Sequence, residues 1–188
     1  MVTVGAAADE GLLLALLNTT PMVGGAPTDR LADRDGALDW LREQQWDDPP
    51  QDIALLRSTR DALQSLVRGA SGPSPETLAA ALEGVSYRAR LAGDGINWEL
   101  VTPPANAVAA RAVLAWNELQ QSAPGRVRAC QNTAGCTRFL IDHSKSNSAR
   151  WCSMARCGNR MKARRHYQRH KSAQSGGPPG DERDLGDE

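Results

Sequence analysis

A chain of 188 residues with 40% hydrophobic side chains has room for one ordinary domain and a small appendage, and its 4% of aromatic residues leaves the core to Leu, Val and Ala. The formal net charge of zero conceals three blocks: 9 basic and 16 acidic side chains over residues 1–125, 12 and 1 over 126–171, and 1 and 5 over 172–188. Such segregation argues against an evenly charged solvated surface and for a polyanionic partner of the basic block, while no apolar run is long enough to suggest a membrane span.

In chain order, "EGLLLALLNTT" predicts a short buried helix that ends near Asn18 and Thr19 and is closed by turn signals at Pro21 and Gly24-Gly25. Asp9 and Glu10 precede its apolar run and no basic stretch opens the chain, so it makes a poor secretory signal and a cytoplasmic location is expected. "DRDGALDWLREQQW" offers Asp33 or Asp35 as N-cap, then Leu38, Trp40 and Leu41 at helical spacing, up to Pro49 and Pro50. From Ile53 to Val67, Ile53, Leu56, Leu63, Leu66 and Val67 define a core-facing stripe, with Arg57, Arg60, Asp61 and Arg68 expected largely opposite.

After "GASGPSP", Pro75 and Glu76 suit the first turn of a helix through Leu82. The period then changes to two: Val85, Tyr87, Ala89 and Leu91, a turn at "AGDG", then Ile96, Trp98 and Leu100, which predicts a hairpin. A helix follows from about Ala105 to Gln121, burying Val108, Ala112, Leu114 or Ala115, and Leu119. Trp40, Trp98 and Trp116 are expected in the core. "GGAP" and "GDG" are turns rather than phosphate cradles, since neither joins a strand to a helix in the required way.

All four cysteines fall in the basic block as Cys130-x5-Cys136-x15-Cys152-x4-Cys157. In a reducing compartment, paired cysteines point to metal rather than to disulfides, and two thiolate pairs provide the tetrahedral donor set of one structural zinc ion. Zinc is favoured over an iron–sulfur cluster because no redox partner region accompanies the cysteines, with iron the alternative that four cysteines leave open. Between them "RFLIDHSKSNSARW" predicts strand, polar turn and strand, with Phe139, Leu140, Ile141 and Trp151 to cover the metal. From Cys152 to Lys171 a helix is expected, with Ser153 as N-cap. A knuckle, a hairpin and a helix carrying the second ligand pair make a treble-clef-like module.

That helix carries Arg156, Arg160, Lys162, Arg164, Arg165, Arg169 and Lys171, with Arg150 ahead of it, and beyond Met161 it has almost no apolar stripe. A helix with two basic arcs and little to bury gains more along phosphates than on a core, so these eight residues are the expected DNA contacts.

The stretch "RVRACQNTAGCTRFLIDHSKSNSARWCSMARCGNRMKARRHYQRH" resembles the CGNR zinc finger, whose name is spelled by Cys157, Gly158, Asn159 and Arg160 and whose typical flank is "RWCSM". The first cysteine pair is one residue wider than is usual in that family. More weakly, Asn18-Thr19 after an apolar helix, "TDRLADRDGALDWL" and the Leu-rich helix after Ile53 resemble the ABATE domain that accompanies this finger in stress-induced transcription regulators. The resemblance implies a bacterial zinc- and DNA-binding module ligated by Cys130, Cys136, Cys152 and Cys157.

The expected fold is mainly α with a small β-hairpin: a helical regulatory domain over 1–121, a hinge at 122–125, the zinc module over 126–171 and a disordered acidic tail over 172–188. The expected function is zinc-dependent DNA binding in transcription regulation rather than catalysis, with DNA as partner, a homodimer to supply a second contact surface, an unidentified small-molecule effector and no membrane. Two alternatives stand beside it. Asp142, His143, Asn147, His166 and His170 follow the order of a His-Asn-His metal-dependent nuclease. A structural zinc module that binds RNA or protein, with Trp151 and Tyr167 as stacking groups, is the other.

Overall fold

The computed structural model describes residues 6–46, 51–70, 75–93 and 95–175. About half of the chain is helical, and among the described residues the strands form three separate two-stranded antiparallel sheets. The expectations for Pro49-Pro50 lie outside the described residues, as does the tail from residue 176 onward; residues 172–175, expected to be disordered with it, instead continue the last helix, Asn159–Ser175.

Helix α1, Ala6–Leu17, buries Leu12, Leu13, Leu16 and Leu17. Its end is closed by Asn18, whose backbone and side-chain amides both donate to the Leu14 carbonyl, and by the Thr19 hydroxyl, which donates to the Leu16 carbonyl at 2.8 Å. Strands β1 (Met22–Val23) and β2 (Ala26–Pro27) then form a minimal hairpin whose two turn residues, Gly24 and Gly25, both have positive φ, as a two-residue primed turn requires.

Helix α2, Arg34–Glu43, starts at Asp33, whose carboxylate accepts from the Gly36 amide at 2.8 Å, and it buries Ala37, Trp40 and Leu41. Helix α3, Ile53–Arg68, is capped by Asp52 through the Leu55 amide and buries Leu56 and Leu63. One expectation fails on this helix: Arg60 is 2% exposed. Position 60 is four residues after Leu56 and three before Leu63, so at 100° per residue it belongs to the buried stripe. Its guanidinium is tolerated there because it donates to both carboxylate oxygens of Asp29, at 2.5 and 3.0 Å, to Asp61 and to the Thr19 hydroxyl.

Helix α4 (Pro75–Ala81) leads into strands β3 (Ser86–Ala92) and β4 (Gly95–Val101), paired from Ser86↔Val101 to Ala92↔Gly95. The hairpin forms where alternation predicts it, but the inward role assigned to Trp98 is not observed: Trp98 is 46% exposed, and both faces of the ribbon are largely solvated. After a 3-10 turn at Pro104–Asn106, helix α5, Ala107–Ser122, packs against α1 and α3. Its inward face is built from Ala109, Ala112, Val113, Ala115 and Leu119, small enough for close approach, while Leu114 and Trp116 are half-buried.

Strands β5 (Val127–Ala129) and β6 (Phe139–Ile141) pair with each other, and their Val127 and Phe139 side chains belong to the same core as the Leu residues of α1 and α3. Phe139 is therefore a core residue. The strand expected near Trp151 does not form: β6 pairs with β5 on one edge, and on the other its Phe139 amide and carbonyl are taken by the Asn18 side chain. By internal contacts the chain divides into two units, 1–152 and 153–188. The described part of the second comprises a single π-turn, Met154–Gly158, and helix α6, Asn159–Ser175. No helix of the described residues is long and apolar enough to cross a membrane.

Candidate metal centre

Residues 130–138 connect β5 to β6 and form the knuckle. The Cys130 amide donates to the Arg138 carbonyl at 2.8 Å, which extends the ladder by one pair and seats Cys130 at its end, 2% exposed. The intervening chain turns on Asn132, itself buried, whose carbonyl accepts from the Gly135 amide at 3.1 Å. This turn absorbs the wide spacing of the first pair. The Arg138 amide then points at Cys136 Sγ, at 3.4 Å, an N–H···S contact that favours a thiolate.

Cys152 arrives through a different bond. The Gln131 amide donates to the Arg150 carbonyl at 2.9 Å and so brings the segment before Cys152 alongside the knuckle, where Cys152 Sγ lies 3.6 Å from Cys136 Sγ. Ser153 then caps the π-turn: its side chain accepts from the Arg156 amide, and its carbonyl accepts from the amides of both Cys157 and Gly158. The wider i→i+5 turn suits a ligand placed five residues after Cys152.

The four cysteines are free of disulfides, and their sulfur atoms all lie within 4.8 Å of one another. A tetrahedral thiolate site with bonds of about 2.3 Å has sulfur–sulfur edges of about 3.8 Å, so the donors are gathered at the scale zinc requires. The donor set is all sulfur, which suits a closed structural site rather than one with an open coordination position. One structural zinc ion fits these residues. Among the described residues, the four cysteines are the group of His, Cys, Asp and Glu side chains gathered tightly enough to hold a metal.

Asp142, the single acid of the basic block, has a different task. Its carboxylate accepts from the Ser144 amide at 2.8 Å and the Ala149 amide at 2.7 Å, with the Arg128 guanidinium 3.6 Å away. The Ser144 hydroxyl, those amides and the Arg128 charge outweigh the opposing effect of burial and pull its pKa down to about 2. Arg126 donates to the carbonyls of Asp142 and Ser144, and Arg128 donates to those of Gly125, Asn147 and Ala149. Asn147 takes the positive φ that the loop needs. Asp142, Arg126 and Arg128 thus fold the 142–149 loop, a role that composition did not reveal.

The eight expected DNA contacts are all exposed. Arg150 donates to the Gln131 side chain, and its guanidinium lies 5.3 Å from the centre of the Trp151 ring. Arg156 is on the π-turn, and Arg160, Lys162, Arg164, Arg165, Arg169 and Lys171 lie along α6. Of the histidines named for the nuclease alternative, His166 and His170 adjoin each other, Nε2 to Nε2 at 3.1 Å, while His143 lies 3.5 Å from Glu10.

Sequence reasoning gave Asn18 no role here beyond a resemblance, yet it fixes the hairpin. Its side chain accepts from the Phe139 amide at 2.9 Å and donates to the Phe139 carbonyl at 3.3 Å, occupying the outer edge of β6 as a second strand would. Thr137 adds a bond to the Thr20 carbonyl, and the Arg68 guanidinium stacks over the Phe139 ring. An Asn at a helix end also reads as an ordinary terminator, so only the pairing exposes its second use.

Fold and site together define a helical protein bearing a four-cysteine zinc module. Residues 126–170 match the family model of the CGNR zinc finger. No curated protein matches the chain.

Proposed function

We propose that the protein is a DNA-binding transcription regulator in which the zinc module presents the cations of the π-turn and α6 to the phosphate backbone. The observation that carries this reading is the run of exposed Arg and Lys side chains from Arg156 to Lys171, on a segment whose described side chains include no acid. The helical residues before it, with their excess of acidic side chains, act as the regulatory part, ABATE-like in character and open to a small-molecule effector. The protein binds DNA without cutting it, acts in the cytoplasm, and works as a homodimer, since one small module reaches few bases.

The test is duplex-DNA affinity of the zinc-loaded full chain as a function of salt. If about five phosphates are neutralised, the logarithm of affinity falls with a slope of about −4.5 against the logarithm of salt. Arg164→Ala and Arg165→Ala each lower that slope by about one. A flat salt response, or equal binding by a metal-stripped Cys152→Ser chain, overturns the reading. Plasmid incubated with magnesium or manganese stays intact on this account, and single-stranded RNA competes less well than duplex DNA.

A further inference from the structure

The β3–β4 hairpin has two unlike faces. Its register pairs Tyr87 with Leu100, Ala89 with Trp98 and Leu91 with Ile96, so these six apolar residues share one face. The other face carries Arg88, Arg90 and Glu99, with Arg90 and Glu99 joined at 2.5 Å. An apolar face of this composition is normally laid on a core, yet Leu91 is 88% exposed, Ile96 58%, Trp98 46% and Tyr87 45%. A two-stranded ribbon gains little stability by itself and needs such a face covered.

We infer that this face is the contact between two copies of the chain, apposed about a two-fold axis. The four exposed residues present roughly 500 Å² of accessible surface, most of it apolar, near the upper end of the patches that monomers leave open. Two such faces together bury on the order of 1,000 Å², about the smallest area that a specific interface needs, which fits a dimer that forms at micromolar rather than nanomolar concentration. All six positions on the face are uncharged, so it offers a polyanion nothing, and the partner certain to carry a matching apolar face is another copy. The contact stands on the hairpin alone and does not require DNA binding; it supplies the second module that the proposed function calls for.

Sedimentation of the zinc-loaded full chain gives the test. A mass twice the 20.2 kDa of one chain is expected at about 100 µM. Leu91→Asp and Ile96→Asp each raise the dissociation constant at least about 30-fold, with zinc content and circular dichroism unchanged, whereas Arg90→Ala on the opposite face leaves the dimer intact. A monomer at that concentration, a dimer indifferent to both Asp variants, or a monomer that binds phosphatidylcholine vesicles through this face overturns the inference. DNA binding by a monomeric wild type would sink the interface and spare the DNA reading; a dimer that ignores DNA would do the reverse.

Discussion

At the residue scale, charge placement decides most. Arg60 and Asp29 form an ion pair in which the guanidinium is almost wholly enclosed, with side-chain exposures of 3% and 30%. Burial is the largest single influence and works against both charges, but the hydrogen bonds and attraction between them, joined by the Leu31 amide at Asp29 and by Asp61 at Arg60, together outweigh it, leaving Asp29 lowered and Arg60 raised. Asp29→Ala leaves the guanidinium with only Asp61 and the Thr19 hydroxyl and is expected to cost about 3 kcal/mol in chemical denaturation, and replacing both partners by apolar residues should cost less. The pair was hidden in the sequence because an arginine inside an apolar stripe is easily assigned to the solvent side. Asp142 carries a pH signature: its folded pKa of about 2 lies below the unfolded value of about 3.9, so its stabilisation is complete above about pH 4 and is lost as pH falls towards 2. The stability gap between wild type and Asp142→Asn, measured at matched pH, should therefore narrow across that interval. A gap that stays constant would show that the carboxylate's charge is irrelevant to the loop.

At the element scale, local signals were faithful and partners were not. The Asp33 cap, the span of α3, the β3–β4 hairpin and the Ser153 cap all follow from short-range chemistry that a sequence displays. What the alternation of β3 and β4 could not say is which way the apolar face looks, since period two marks two faces without marking a core. The zinc module shows the same division. The cysteine pairs were legible from spacing, but the strand partner of β6 was placed downstream, whereas it lies upstream at Val127–Ala129, before the first cysteine. Three-residue strands leave too little pattern to identify a partner. Asn18→Ala should remove both bonds to β6, leave the Phe139 amide unpaired and cost about 1–2 kcal/mol, read as a lowered denaturation midpoint.

For the whole molecule, the zero net charge is a sum of unlike parts, and the sites follow the parts: metal ligands and exposed cations in the basic block, the enclosed apolar core in the residues before and just inside it. The leucines of α1, α3 and α5 build that core without help from any ion. Chelation of zinc is thus expected to remove only part of the helical circular-dichroism signal, with a cooperative thermal transition surviving, whereas small isolated zinc modules unfold outright without metal. Complete loss of helix on chelation would mean that the core depends on the metal after all.

The clasp of Asn18 on Phe139 bears on how such a protein can be inherited. A cassette cut at the expected hinge would leave Phe139 and Val127 without the leucines that enclose them and β6 without its side-chain partner. Recombination that attached this zinc module to an unrelated neighbour would have to carry over the end of the first helix, more than a hundred residues upstream. The cysteines can be copied as a short stretch of text, but the surface that receives their hairpin cannot, so the two ends of this chain are bound to change together.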